Sequence, residues 1–308
     1  MTNRLRFSLT ISNSTFPFLP RLFDRFPNLT SLHFTHFCGD LNSLLYQIYT
    51  CALKLKSLIF SNQSTIPTEG LRVLSKYITT VTSLTFSNID FLHKNDMVMI
   101  LICFPFLEEL DHSNPKNNGN FAANSMLLEL PKLRRVNLSD HHYANGSLLL
   151  HLYKNCVFLQ EIVMLNTYYL TDNEITSAIC ERPGLRSISI TRMTFGNLNI
   201  FIESLVNLTG LTSLDLSYSF IPDELLSYVA EKALPIRKLF LQGYFGYTYF
   251  GIFNLLSKCQ FIQYLDLQNA KFMNDWNVIE LSLFLGDLLS INISKCDSPH
   301  KFILVFSP

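Results

Sequence analysis

Residues 211–216 read LTSLDL, Leu211-Thr212-Ser213-Leu214-Asp215-Leu216, and the same apolar-x-x-apolar-x-apolar pattern begins again at Leu29, Leu55, Val81, Leu107, Leu133, Leu159, Leu185, Ile236, Ile262 and Leu288. Ten intervals separate the eleven starts; nine are 26 residues and one, Leu211 to Ile236, is 25. Three apolar slots in eleven copies make 33 places, and only His112 breaks the rule, so 32 are filled by apolar side chains. At 48% apolar residues, chance would fill about 16. The second position is polar in ten copies, Leu289 being the exception. Alternation of this kind is that of a strand with one side against a core and the other in water.

Each strand is followed by a loop and then by apolar residues at helical spacing, as in Leu71, Val73, Leu74, Tyr77 and Ile78, or Leu225, Leu226 and Val229 after Pro222-Asp223-Glu224. Pro27, Pro105, Pro131 and Pro183 stand two residues before a strand motif, where a ring that cannot continue a helix marks the corner. One strand, loop and helix cannot bury its apolar face alone, whereas stacked copies do so at every interface. The expectation is an α/β fold: a right-handed leucine-rich-repeat solenoid (horseshoe) of about eleven 26-residue repeats, its parallel sheet concave and its helices convex. The chain reads as a single domain over 1–308. Residues 1–28 form a degenerate first repeat or cap (strand Leu5, Phe7, Leu9, Ile11; helix Phe16–Phe26), 29–296 the regular repeats, and 297–308 the C-terminal end with the apolar run Phe302–Phe306.

Charged residues make up 16% of the chain, and 24 basic side chains balance 24 acidic ones. That balance gives no electrostatic footprint for nucleic acid or an anionic membrane, so neither partner is expected. No apolar run reaches the roughly 18 residues of a membrane span, and MTNRLRFSLTISNS has no continuous apolar core of a signal peptide. Seven cysteines without a CxxC pair fit a reduced, cytoplasmic or nuclear compartment. The Asn-x-Ser/Thr triplets at Asn13, Asn28, Asn62, Asn137, Asn145, Asn207 and Asn292 read mostly as by-products of the repeat.

The stretch LTDNEITSAICERPGLRSISI, Leu170 to Ile190, together with helix-end cysteines Cys51, Cys103, Cys156, Cys180 and Cys259 three to five residues ahead of their strands, resembles the cysteine-containing class of leucine-rich repeats. The resemblance covers essentially the whole chain and extends to plant F-box/leucine-rich-repeat proteins of the ribonuclease-inhibitor-like superfamily. It implies a non-enzymatic, protein-binding scaffold akin to the substrate-recognition part of an SCF-type ubiquitin ligase. A Skp1-type adaptor is implied only if an F-box lies outside this chain, because the 28 residues before the first clear repeat already read as solenoid. The alternative is a free-standing repeat protein with no ubiquitin connection. The Gly-x-Ile-Pro element of extracellular plant-receptor repeats is absent, and a near-constant 26 does not match the alternating lengths of ribonuclease inhibitor itself.

No phosphate-binding glycine loop, nucleophile elbow or HExxH helix occurs, so no catalytic residue and no cofactor is assigned. His33, His36, Cys38 and Asp40 are metal-binding residue types without a second pair to complete a tetrahedral site, and no metal is expected. Asp140, His141 and His142 read as a polar turn, the helix-end cysteines as buried packing residues, and Asn114–Asn124 as an expanded loop. The column Thr35, Ser61, Ser87, Ser113, Ser139, Leu165, Thr191, Ser217, Gln242, Gln268 and Ser294 reads as structural. Partner contact is expected on the concave face. Glu108, Glu109 and Asp111 face Arg134, Arg135 and Asn137, followed by Glu161 and Val163, and most of these charges should neutralise one another. Arg237, Lys238, Phe240, Tyr264 and Asp266 mix aromatic with charged groups and form the preferred contact patch. In GYFGYTYFG (243–251), Tyr244, Phe245 and Tyr247 are candidates for a ligand-facing rim, about half of the run pointing inward.

Overall fold

The computed structural model describes residues 8–13, 16–91, 94–116, 130–141, 146–166, 170–193, 197–243 and 245–296. Leu5, Phe7, residues 117–124 of the expanded loop, His142, Asn145, Tyr244 and the run 302–306 lie outside these described residues. The chain divides into two compact units, Met1–Leu159 and Gln160–Pro308. Both repeat the strand-and-helix unit of a leucine-rich-repeat solenoid.

The first unit runs β1 (Ser8–Ile11), α1 (Leu19–Arg25), β2 (Ser31–Thr35), α2 (Leu41–Ile48), β3 (Ser57–Ser61), α3 (Thr68–Tyr77), β4 (Ser83–Ser87), α4 (Lys94–Cys103), β5 (Glu109–Ser113), β6 (Arg135–Asn137) and α5 (Gly146–Asn155). Its strands are parallel and pair in chain order, with Leu9, Leu32, Leu58, Leu84, Leu110 and Val136 in one register column. The second unit runs β7 (Glu161–Met164), α6 (Asp172–Cys180), β8 (Ser187–Ile190), α7 (Leu198–Val206), β9 (Ser213–Asp215), α8 (Asp223–Glu231), β10 (Lys238–Phe240), α9 (Tyr249–Lys258), β11 (Tyr264–Asp266), α10 (Asp275–Ser282) and β12 (Ser290–Asn292). Here Ile162, Ile188, Leu214, Leu239, Leu265 and Ile291 share a column. All of these side chains except Ile291 and Leu9 are buried, each contributing roughly 1.5–3 kcal/mol by leaving water.

The single 25-residue interval leaves this register intact, since Leu214 still pairs with Leu239. The residue is lost between β9 and α8: α8 starts twelve residues after Leu211, whereas α6, α7 and α9 start thirteen after Leu159, Leu185 and Ile236, and buried Leu226, Val229 and Ala230 stand before Ile236 as Ile252, Leu255 and Leu256 stand before Ile262. The corner after α8 carries Ala233 in the left-handed region (φ 47°), as the corner before Leu53 and Leu55 carries Ala52 (φ 50°).

A second left-handed residue follows each strand from β2 to β12, and it sets how the chain leaves the sheet. His36, Asn62, Asn88, Asn114, Asp140, Asn166, Arg192, Tyr218, Gly243, Asn269 and Lys295 all have positive φ. Asn and Asp tolerate that conformation best among residues with a side chain, and they hold six of the eleven places. The turn keeps the ladder going past the strand: Asn62, Asn88 and Asn114 donate backbone N–H groups to the carbonyls of Ser87, Ser113 and Ser139.

Behind the sheet of the first unit, Phe34, Phe60 and Phe86 stack at 4.9 and 5.5 Å between ring centroids. His112 is next in register, fully buried, with neither ring nitrogen hydrogen-bonded. Burial therefore holds its pKa well below 6.5, and the neighbouring His141 lowers it further. His141 is itself buried, its Nε2 2.5 Å from the His112 carbonyl oxygen and its ring centroid 4.5 Å from that of His112. Asp140 makes the expected turn, but His141 belongs to the core, because the left-handed step at Asp140 sends the next side chain inward.

Helix starts are tied both locally and between repeats. In the quoted segment Leu170 to Ile190, Thr171 and Glu174 form a capping box on α6. Asp223 at the start of α8 accepts the backbone N–H (2.8 Å) and hydroxyl (2.6 Å) of Thr248, the N-cap of α9. In the first unit the Asn42 side chain accepts the Gly70 N–H (2.8 Å), and a Cβ at Gly70 would stand 2.9 Å from the Asn42 Cα.

Candidate functional site

The solvent face of each sheet is formed by the side chains that alternate with the buried columns. In the first unit several of these groups satisfy one another. Arg134 pairs with Glu108 at 3.9 Å and lies over the Phe158 ring at 5.7 Å, and the Ser83 hydroxyl donates to Glu109 at 3.0 Å. Asn137 donates to Asp111 at 3.0 Å, Ser113 donates its hydroxyl to the same carboxylate at 2.7 Å, and Asn137 accepts the Ser139 N–H and hydroxyl. Arg135 is exposed at one end of this column. Adjacent strands thus set opposite charges and complementary amides side by side.

The second unit carries a similar Asx ladder, broken by an aromatic ring. Asp215, Phe240 and Asp266 are consecutive in register. Asp215 accepts the Ser217 N–H (3.0 Å), Asp266 accepts the Gln268 N–H (2.9 Å), and Asn292 donates to the other Asp266 oxygen (2.9 Å). Burial raises the pKa of Asp215, with the Asp266 charge adding to the rise and the hydrogen bonds from Ser217 opposing it. Asn137 and Asp266, expected as contact residues, thus accept N–H groups of the turns after their strands, Asp111 bonds the Ser113 and Asn137 side chains, and Phe240 is half-buried between two carboxylates. This Asx-turn pattern was visible in the sequence as Asp or Asn two residues before the small-hydroxyl column.

Toward the strand entrances of the second unit lies a depression of about 340 Å³ lined by Gln160, Glu161, Arg186, Ser187, Thr212, Ser213, Arg237, Lys238 and Gln263. Arg186, Arg237 and Lys238 are exposed, and among the described residues none has an ion-pair partner. Lys238 lies over the Tyr264 ring with its Nζ 5.1 Å from the centroid. The backbone fixes the spacing: the Arg186 carbonyl accepts the N–H groups of Thr212 and Ser213, and the Thr212 carbonyl accepts those of Arg237 and Lys238. The structure so brings Arg237, Lys238, Tyr264 and Glu161 onto one face and adds Arg186, which sequence reading passed over. Its signal was there, since Arg186 occupies the same slot of LRSISI that Arg237 occupies two repeats later.

Other candidates part company. Tyr247 is fully buried, its hydroxyl donating to the Leu241 carbonyl at 2.8 Å and its ring edge-on to Phe272, so it is core and not rim. Phe245 is exposed, and Tyr244 lies outside the described residues. His33 contacts the Ser61 hydroxyl at 2.7 Å, His36 contacts the Thr35 hydroxyl at 3.0 Å, and Asp40 caps α2. Cys156 and Cys259 are buried, and burial pushes the Cys259 thiol up to about 11. Cys51 and Cys103 are only half-buried and Cys180 is exposed, which corrects the reading of all five as core residues: they fall at different steps of the corner, and only Cys156 and Cys259 occupy its inward slot. Among the described residues no helix is long and apolar enough to cross a membrane.

No protein-family model matches the chain, and no curated protein matches it. Solved structures do. The chain is similar to one in the yeast Rad7 and Elc1 complex, with a TM-score of 0.68 and 18% identity over 88% of this chain and 72% of that one. It is also similar to a chain of the TLR13–ssRNA13 complex, with a TM-score of 0.51 and 18% identity over 93% of this chain. The chain spans 40% of the length of that TLR13 chain. At these identities the likeness is one of fold, and it agrees with the repeat read from the sequence.

Proposed function

We propose that the chain is a non-enzymatic, protein-binding scaffold whose partner lies along the solvent face of the sheet, with Arg237, Lys238, Phe240 and Tyr264 at the centre of contact. One observation carries this reading: cationic and aromatic side chains gather around a 340 Å³ depression whose cations have no ion-pair partner among the described residues. Such groups are the usual anchors of protein interfaces. A protein partner is favoured over nucleic acid by the zero net charge of the chain. A cytoplasmic or nuclear location is supported by the cysteines, all seven of which are free. The finer reading, the substrate-recognition part of an SCF-type ubiquitin ligase in the manner of plant F-box/leucine-rich-repeat proteins, rests on the sequence resemblance. It requires an F-box outside this chain for Skp1-type adaptor binding.

Site-specific photo-crosslinking tests the scaffold reading. A photoreactive phenylalanine analogue at Tyr264, on the sheet face, is expected to give discrete protein adducts in lysate, whereas the same analogue at Tyr228 on α8 gives few. Adducts mainly from Tyr228, or none at either site, would overturn it. Co-precipitation of Skp1 with the natural full-length product separates a ligase component from a free-standing repeat protein.

A further inference from the structure

We infer that the cation cluster Arg186, Arg237 and Lys238 is a docking site for an acidic segment of the partner, an extended peptide whose Asp or Glu carboxylates insert between the two guanidinium groups. The inference rests on the scaffold reading and names the chemistry of its partner. Arg186 and Arg237 stand in one column with Thr212 between them, two strands or about 9.6 Å apart. A carboxylate seated over Thr212 can reach both forks, with the Ser213 hydroxyl as a further donor, the Thr212 hydroxyl being given to the Arg186 carbonyl. Lys238 extends the positive side of the site, held against the Tyr264 ring. Three cations face one lining carboxylate, Glu161. The remaining acids of this face, Asp215 and Asp266, lie on another row and accept the backbone hydrogen bonds of their own turns.

The second unit therefore leaves exposed guanidinium groups where the first unit pairs Arg134 with Glu108. Arginine is suited to such a role, since its planar fork matches a carboxylate in two hydrogen bonds and is weakly hydrated. A phosphorylated side chain offers the same oxygen chemistry, and the test separates the two sources.

The test is fluorescence anisotropy of the full chain with fluorescein-labelled decaglutamate, beside a serine-rich phosphopeptide and a single-stranded RNA of similar length. The expected result is saturable binding of decaglutamate that weakens with added salt. Arg186→Ala with Arg237→Ala should weaken it about tenfold or more, and Arg134→Ala should leave it unchanged. Circular dichroism melts confirm that each variant folds. Tighter binding of the phosphopeptide, lost in the same double variant, keeps the site and assigns phosphate as its natural anion. Decaglutamate binding that is absent, or unaltered in the double variant, overturns the inference, as does RNA binding in its place. If Tyr264 adducts persist in the double variant, the scaffold reading stands and the acidic-segment inference alone falls.

Discussion

The two units stack the same repeat in the same register but dispose of charge in opposite ways. In the first, Glu108 meets Arg134 and Asp111 meets Asn137 on the solvent face, while the core tolerates two buried imidazoles at His112 and His141. In the second, the slots matching His112 are Met164, Ile190, Leu216, Leu241 and Leu267, all buried, and on the solvent face Arg186, Arg237 and Lys238 have no ion-pair partner among the described residues. Polar groups that fold the chain need a partner within it, and polar groups that bind need one outside.

Four experiments break or sharpen that contrast, from the largest expected effect to the smallest. Leu84→Ala and Leu214→Ala remove equivalent buried side chains from the two columns, and each is expected to lower unfolding stability by about 2–5 kcal/mol in denaturant titration. A loss below 1 kcal/mol at either site would contradict a close-packed shared core there. Gly70→Val forces a Cβ against the Asn42 backbone of α2 and should cost about 1–3 kcal/mol or more, whereas Gly210→Ala, with open space around it, should be nearly neutral.

His112→Phe continues the Phe34, Phe60, Phe86 stack and removes two buried unsatisfied nitrogens. It is expected to raise stability by about 1–3 kcal/mol in a thermal or urea melt. It should also flatten a pH dependence. The folded chain keeps His112 neutral while the unfolded chain takes up a proton near 6.5, so wild-type stability is full above that pH and declines below it. Unchanged acid sensitivity in the variant would assign the decline to other groups. Glu108→Gln, at a pair whose side chains are about half exposed, should change stability by about 1 kcal/mol or less.

The fold was legible because apolar spacing is enforced in every copy: all eleven predicted strands appear where LTSLDL and its counterparts stand. The 25-residue interval was legible as an oddity, though only the early start of α8 at Asp223 shows that the loop after β9 absorbs it. The site was partly legible. Arg237, Lys238 and Tyr264 were singled out by their residue types, and of the acids and amides singled out with them Asn137 and Asp266 accept backbone N–H groups of their own turns while Asp111 bonds neighbouring side chains. Arg186 stands in an otherwise bland strand, LRSISI, and its repeat slot, shared with Thr212 and Arg237, was the one sequence signal that pointed to it. Tyr247 and His141 were misjudged for one reason: both follow a left-handed or glycine turn that returns the chain to the interior.

The most direct test places one photoreactive analogue at Ser83 and, separately, at Ser213, which hold the same register position in the two units. Binding through the uncompensated cations predicts abundant partner adducts from Ser213 and few from Ser83. Equal yields, or the reverse, would show that the charge difference between the two sheet faces has no part in recognition.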